Sequence, residues 1–243
     1  MSDELILVRI SRAEAILRAQ ACPSVTPESF APASWGDQAV AVSEGGRGSA
    51  WFIHRDFGTD WVLRHYRRGG LVGRLIARRY MFSGLERTRA FRELRLLHIL
   101  KAEGLPVPTP LAAYIYQPVP MAYEAAILIE RIPDAVPWPS AESRSECHLW
   151  QKIGRTIRQF HNAGLYHADL NCDNVMVAGD DIYLIDFDKC QIRPVSSQVM
   201  PRWMTSNLKR LRRSVDKRLA LLAAAERNEL WQHLELAYLS ESG

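Results

Sequence analysis

Two stretches within residues 167–188 limit what this chain can fold into more than any other part of it. His167-Ala168-Asp169-Leu170-Asn171-Cys172-Asp173-Asn174 runs into the apolar Val175–Val177, and Tyr183-Leu184-Ile185 runs into Asp186-Phe187-Asp188. Each joins a strand-like apolar segment to a polar loop, so that a rigid element fixes acidic and amide side chains at its end. Taken singly, the alternative reading of the first is an ordinary polar loop, and that of the second a strand ending in a polar turn. Their short separation argues against coincidence.

The rest of the chain falls into two halves around that centre. Ala39–Ser43, Ala50–His54 and Trp61–Tyr66 are short, rich in Val, Trp, Phe and Ile, and separated by EGGRGS and RDFGTD; they predict antiparallel strands joined by turns. Phe91, Leu94, Leu97, Ile99 and Leu100 predict a helix over Leu85–Glu103, stopped by Gly104. Leu105–Pro110 (LPVPTP) reads as an extended connector, and Leu111–Ile115 and Glu124–Ile129 as two more strands. The proline-rich Glu130–Ser140 is the best linker candidate. Beyond it, Glu142–Asn162 predicts an amphipathic helix ended by Gly164, and Arg202–Ser240 an arginine-rich helical tail. Before residue 39 the expectation is a short helix near Ser11–Gln20 and then a loop. The fold class is therefore α+β with two lobes: an N-terminal extension over 1–38, a small antiparallel-sheet lobe over 39–132, and a mainly helical lobe over 133–243.

Composition narrows the setting. With 47% hydrophobic and 24% charged residues over 243 positions, the chain has ordinary globular values. A net charge of +4 admits anionic partners without choosing among nucleotides, nucleic acid and acidic lipid. Cys22, Cys147, Cys172 and Cys190 have no metal-ligand spacing and read as free thiols of a reducing compartment. Asp3 and Glu4 precede only a short apolar run, unlike a secretory leader, so a cytoplasmic location is expected.

An Asp two residues after a His, followed five residues later by an Asn, is the spacing of the protein-kinase catalytic loop. In that loop the Asp accepts a hydrogen bond from the attacking hydroxyl while the Asn amide oxygen reaches a metal ion. Asp169 is thus the expected catalytic residue, with Asn174 and Asp186 as Mg²⁺ ligands beside ATP. Asp188 replaces the usual glycine after Asp186-Phe187 and is a further candidate for metal or acceptor contact. His167 is expected to prop the loop. Gly46, Arg47, Gly48 and Ser49 would cradle phosphates, although a hairpin turn uses the same residues. By strand order, Arg64 stands where a phosphate-positioning lysine is usual, and is not equivalent to it. Glu93, better placed than Glu86, would orient Arg64, its other reading being a solvated helix charge. Backbone groups near Glu130 and Ile132 are the expected adenine contacts.

Together these residues resemble the lipopolysaccharide-core sugar kinases of the protein-kinase-like superfamily, in particular those acting on 3-deoxy-D-manno-octulosonic acid (Kdo). GGRG, LRHYRRGG (Leu63–Gly70), LPVP (Leu105–Pro108), HADLNCDN and LIDFDKC (Leu184–Cys190) carry the resemblance, which spans roughly residues 45 to 215. In that pattern Arg64 and Asp188 are usual. The resemblance implies transfer of a phosphoryl group from ATP to the 4-hydroxyl of Kdo on a lipid A precursor. It also implies a peripheral enzyme at the cytoplasmic face of a bacterial inner membrane.

Two basic clusters fit an anionic acceptor and membrane surface: Arg64, Arg67, Arg68, Arg74, Arg78 and Arg79, and Arg202, Lys209, Arg210, Arg212, Arg213, Lys217 and Arg218. Arg67 and Arg68 are the candidates for the acceptor's negative charges. A solvated helical face is the other reading of the tail. Nucleic acid is not expected, because no aromatic RNA-binding signature accompanies the charge. A heptose kinase, another small-molecule kinase and a catalytically silent binding module are the competing functions.

Overall fold

The computed structural model describes residues 4–42, 50–66, 80–195 and 200–240. Contacts divide the chain into two units, Met1–Ala102 with Pro108–Arg131, and Glu103–Val107 with Ile132–Gly243.

The first unit is an antiparallel sheet carrying one long helix. Its strands are β1 (Leu5–Arg9), β2 (Glu14–Ala19), β3 (Ala39–Ala41), β4 (Ala50–Ile53), β5 (Trp61–His65), β6 (Tyr80–Met81), β7 (Pro110–Val119) and β8 (Ala122–Glu130). They lie in the order β1-β2-β7-β8-β5-β4-β3, with β6 also against β8. Strand β8 buries Ala125, Ala126, Ile127 and Leu128 in succession, as a strand covered on both faces must. Helix α1 (Arg89–Ala102) packs on β7 and β8 with Phe91, Leu94, Leu97 and Leu100 buried. A separate cluster joins Ile16, Phe30, Ile53, Trp61, Leu63, Leu111 and Leu128.

The helix expected near Ser11–Gln20 is instead β2, paired with both β1 and β7. Ala15, Ile16, Leu17 and Ala19 are all buried, so period-two alternation is missing and the run reads as well for a helix. Short 3₁₀ turns then bring Phe30 into a stack with Tyr114 at 5.2 Å and Trp35 edge-on to Trp61 at 5.8 Å. Residues 14–18 and 30 thus pack within the first unit.

The second unit is built on helices α2 (Cys147–Asn162), α3 (Arg202–Arg218) and α4 (Ala224–Ser240). Two small sheets accompany them: β9 (Val136–Pro137), β11 (Val175–Ala178) and β12 (Asp181–Leu184) in the order β12-β11-β9, and the pair β10 (Leu165–Tyr166) with β13 (Gln191–Ile192). Helix α2 buries Leu149, Trp150, Ile153, Ile157 and Phe160 at helical spacing. Its Gly154 meets α4 so closely that an added Cβ would stand 2.3 Å from the Leu234 carbonyl oxygen. Gly164, at φ 78°, turns the chain out of α2. The LPVP segment, expected to be extended, instead bends at Pro106, where the Val107 N–H donates to the Leu105 carbonyl at 2.9 Å. Leu105 and Val107 are buried, and the Leu184 N–H donates to the Pro106 carbonyl. Among the described residues no helix is long and apolar enough to cross a membrane.

Candidate active site

The hairpin β11–β12 sets the geometry. Val175 pairs with Leu184 and Ala178 with Asp181, leaving Gly179 and Asp180 as a two-residue turn. That register places Asn174 and Ile185 across from one another just beyond the open end, where the Ile185 N–H donates to the Asn174 carbonyl at 3.1 Å. The loop containing Asp169 and Asn174 and the turn containing Asp186 are therefore held side by side by the hairpin that separates them in sequence.

Loop 167–174 is fixed through its backbone. The Asp169 carbonyl accepts from Asn174 Nδ2 at 2.9 Å and from Asn171 Nδ2 at 3.1 Å. Asn171 Oδ1 accepts in turn from the N–H groups of Asp173 and Asn174. His167 is buried and links both motifs: Nδ1 accepts from the Asp169 N–H at 3.3 Å and Nε2–H donates to the Ile185 carbonyl at 3.0 Å. Burial pushes its pKa down, against the opposing pull of the Ile185 hydrogen bond and the Asp186 and Asp169 charges, so the ring is a neutral prop.

Asp186 follows β12 at φ 63° and Lys189 repeats that value, both in the left-handed region. Asp tolerates it better than most residues, and such conformations collect at functional sites. Phe187 is buried against His167 and Phe160. The Ala168 N–H meets Cys190 Sγ at 3.3 Å, and that thiol lies 3.9 and 3.8 Å from the carbonyls of Asp186 and Asp188. Asp188 thus belongs to the same turn as Asp186.

Asn174 spends its amide nitrogen on Asp169, which leaves Oδ1 as the atom to offer a cation beside Asp186. Among the described residues no three His, Cys, Asp or Glu side chains cluster as a metal site. Magnesium suits the pair that is present, because it takes one or two protein oxygens and completes its shell with phosphate and water.

Helix α3 braces the loop along one edge, which sequence reasoning missed. The Asn207 amide clamps His167, Oδ1 accepting from its N–H and Nδ2 donating to its carbonyl. Ser214 Oγ accepts from the Cys172 N–H at 2.9 Å, and Arg218 pairs with Asp173 at 2.9 Å. Between them, Arg210 Nη1 stands 3.5 Å from Asp169 Oδ1. Part of the basic tail therefore serves the loop. The only sequence signal was a polar seam at 207, 210, 214 and 218, one helical face.

In the first unit, Glu93 of α1 is buried and takes Arg64 on one oxygen and Tyr66 on the other. Burial first, and then the Glu93 charge, push the Tyr66 phenol well up, so it stays a donor. Glu86 pairs instead with Arg95 on the surface. Tyr66 was missed, although it shares a strand face with Arg64 two residues away. The Glu130 N–H is committed to the Thr109 carbonyl, so it is not a donor to a base; the Ile132 carbonyl accepts from Ala135 in the second unit. Gly46, Arg47, Gly48, Ser49, Arg67 and Arg68 lie outside the described residues.

Residues 32–238 match the model of the lipopolysaccharide kinase (Kdo/WaaP) family. The chain is similar to the 3-deoxy-D-manno-octulosonic acid kinase of Stenotrophomonas maltophilia (strain K279a), 45% identical over 196 residues covering 77% of this chain and 74% of that one. It is also similar to the enzymes of that name from Xylella fastidiosa (strain M12), at 46% over 191 residues and the same coverage. A third, from Xanthomonas campestris pv. campestris (strain B100), is 41% identical over 211 residues, covering 86% and 82%. Among solved structures, WaaP in complex with acyl carrier protein matches 96% of this chain and 88% of its own, with TM-score 0.51 and 16% identity. The Rio2 kinase–ADP/Mg²⁺–phosphoaspartate complex from Chaetomium thermophilum matches 98% and 76%, with TM-score 0.51 and 15% identity. At such identities these two speak for the fold, which is protein-kinase-like.

Proposed function

The chain belongs to the lipopolysaccharide kinase (Kdo/WaaP) family, and on that premise we propose that it transfers the terminal phosphoryl group of ATP to the 4-hydroxyl of Kdo on a lipid A precursor. Relatives at 41–46% identity named 3-deoxy-D-manno-octulosonic acid kinase support Kdo as the acceptor sugar. The observation that carries the chemistry is the union of Asp169, Asn174 and Asp186 at the open end of one hairpin.

Phosphoryl transfer asks little covalent work of the protein and much positioning. Asp169 orients the acceptor hydroxyl and takes its proton late. Asn174 Oδ1 and the Asp186 carboxylate would hold Mg²⁺, which would neutralise charge on the transferred group. Arg64, aimed by Glu93 and Tyr66, binds nucleotide phosphate, and the loop from Gly46 to Ser49 assists it.

We further propose peripheral attachment to the cytoplasmic face of the inner membrane. Arg202, Lys209, Arg213 and Lys217 are exposed on one stripe of α3, opposite its buried Met204, Leu211 and Val215. Each such residue near an anionic surface contributes about 1 kcal/mol.

The test is phosphoryl transfer by the purified protein with Mg-ATP and Kdo–lipid A precursor. One added phosphate by mass spectrometry, located on the 4-hydroxyl by NMR, is expected. Transfer to a heptose acceptor but not to Kdo would reject the Kdo assignment in favour of its pathway neighbour. Co-sedimentation with anionic but not neutral vesicles tests the attachment.

A further inference from the structure

We propose that Arg210 binds the carboxylate of the sugar-acid acceptor and so selects an acidic sugar over a neutral one. This rests on the reading of the acceptor as Kdo.

The position of Arg210 is built rather than incidental. Asn207, one turn before it, clamps His167 in both directions. Leu211, next to it, is fully buried, and Ser214, one turn later, receives the Cys172 N–H. The backbone that carries Arg210 is thus tied to the loop that carries Asp169. The guanidinium arrives 3.5 Å from Asp169 Oδ1, with side-chain exposures of 43% for Arg210 and 62% for Asp169. That is an ion-pair distance rather than a short hydrogen bond.

A guanidinium has five N–H donors in a planar fork that matches a carboxylate. Among the described residues its one loose contact, to Asp169, leaves most of that capacity unspent. A half-exposed pair of this kind adds little to stability, so stability alone does not account for a cation held there. The acceptor chemistry does. A sugar acid that presents its hydroxyl to Asp169 also brings its own carboxylate within the same sugar residue, close to a second negative charge. A cation tied beside Asp169 removes that repulsion and offers the fork to the incoming carboxylate. A neutral sugar has no use for it.

The test crosses two changes. Wild type, Arg210→Gln and Arg210→Lys are assayed with the Kdo acceptor and with the same acceptor whose carboxylate is converted to the neutral carboxamide. Arg210→Gln should raise KM for the acid acceptor roughly 10- to 100-fold, the range for losing a charge-assisted hydrogen bond, with KM for ATP unchanged. Wild type should lose a similar factor with the carboxamide, and Arg210→Gln should lose nothing more on it. Arg210→Lys, which keeps the charge but not the fork, should fall between. Equal loss of kcat with both acceptors at unchanged KM would overturn the inference and make Arg210 a positioning residue for Asp169. If wild type phosphorylates the carboxamide as well as the acid, acid selection is refuted while the Kdo reading stands. If it phosphorylates neither, the Kdo reading fails and takes this inference with it. The wild-type comparison of the two acceptors does not depend on any variant folding.

Discussion

Each unit, taken by itself, sets an arginine against a carboxylate, and the two pairs are built in opposite ways. Glu93 is 4% exposed, with Arg64 on one oxygen and Tyr66 on the other. Its carboxylate is the support, and the arginine is the group proposed above to bind phosphate. Asp169 leaves its side chain 62% exposed against Arg210, and its position comes instead from backbone hydrogen bonds to His167, Asn171 and Asn174. There the carboxylate is the group proposed above to orient the acceptor hydroxyl. Burial decides which: a buried pair is costly to break and rigid, whereas an exposed one contributes little and stays available to a substrate.

The largest expected effect tests the exposed side. Asp169→Ala should lower kcat on the order of 10³-fold, the middle of the range for removing a positioned base. Stability should change by less than about 1 kcal/mol, because the carboxylate makes only a loose, half-exposed ion pair with Arg210. Near-normal turnover would break the comparison at its centre.

Glu93→Ala should do the reverse. It removes the acceptor that Arg64 and Tyr66 share, and removing one partner of a buried pair costs about 3 kcal/mol or more. Denaturant unfolding measures this. Glu93→Gln, which still accepts from Tyr66, should lose less. Equal losses for both variants would mean that the carboxylate's charge matters more than its hydrogen bonds.

The asymmetry follows what could be read from the sequence. Asp169, Asn174 and Asp186 were legible because their relations are local: fixed spacings within a loop, and a hairpin only a few residues long. Glu93 was legible as the partner of Arg64 because helix α1 follows the strand that carries it. Strand β2 was not, since burial on both faces erased its alternation. Nor was the brace from α3. Asn207, Arg210, Ser214 and Arg218 look like a solvated helix face, and their partners lie some forty residues away in sequence, at His167, Asp169, Cys172 and Asp173. Only folding reveals that this polar seam faces protein.

The supports differ in pH response as well. Those of the second unit include neutral buried histidines. Burial pushes the His161 imidazole down to about 3, where Nδ1 meets the Tyr238 hydroxyl at 2.8 Å. An unfolded histidine titrates near 6.5. Between those values the unfolded state binds more protons, so stability is complete above about pH 6.5 and falls as pH drops through the window toward 3. The slope should approach about 1.4 kcal/mol per pH unit for His161, and His167 adds in the same sense. Unfolding midpoints at pH 7.5, 6 and 5 measure it. Replacing His161 with Gln should remove its share of the slope, and an unchanged slope would assign the acid sensitivity elsewhere.

The smallest effect separates bracing from stabilising within α3 itself. Arg218 and Asp173 are each about half exposed, at 51% and 44%, and 2.9 Å apart. Arg218→Ala should therefore change stability by less than about 1 kcal/mol. The loop nevertheless loses the last of its α3 contacts, at the end nearest Asn174. Small misplacements of positioning groups are felt in turnover, so kcat should fall by roughly two- to threefold. The loss should be greater at low Mg²⁺ than at saturation, because Asn174 is the neighbour disturbed. A uniform loss at all Mg²⁺ concentrations would instead trace the effect to the Asp169 end, where Asn207 already clamps the loop from both sides.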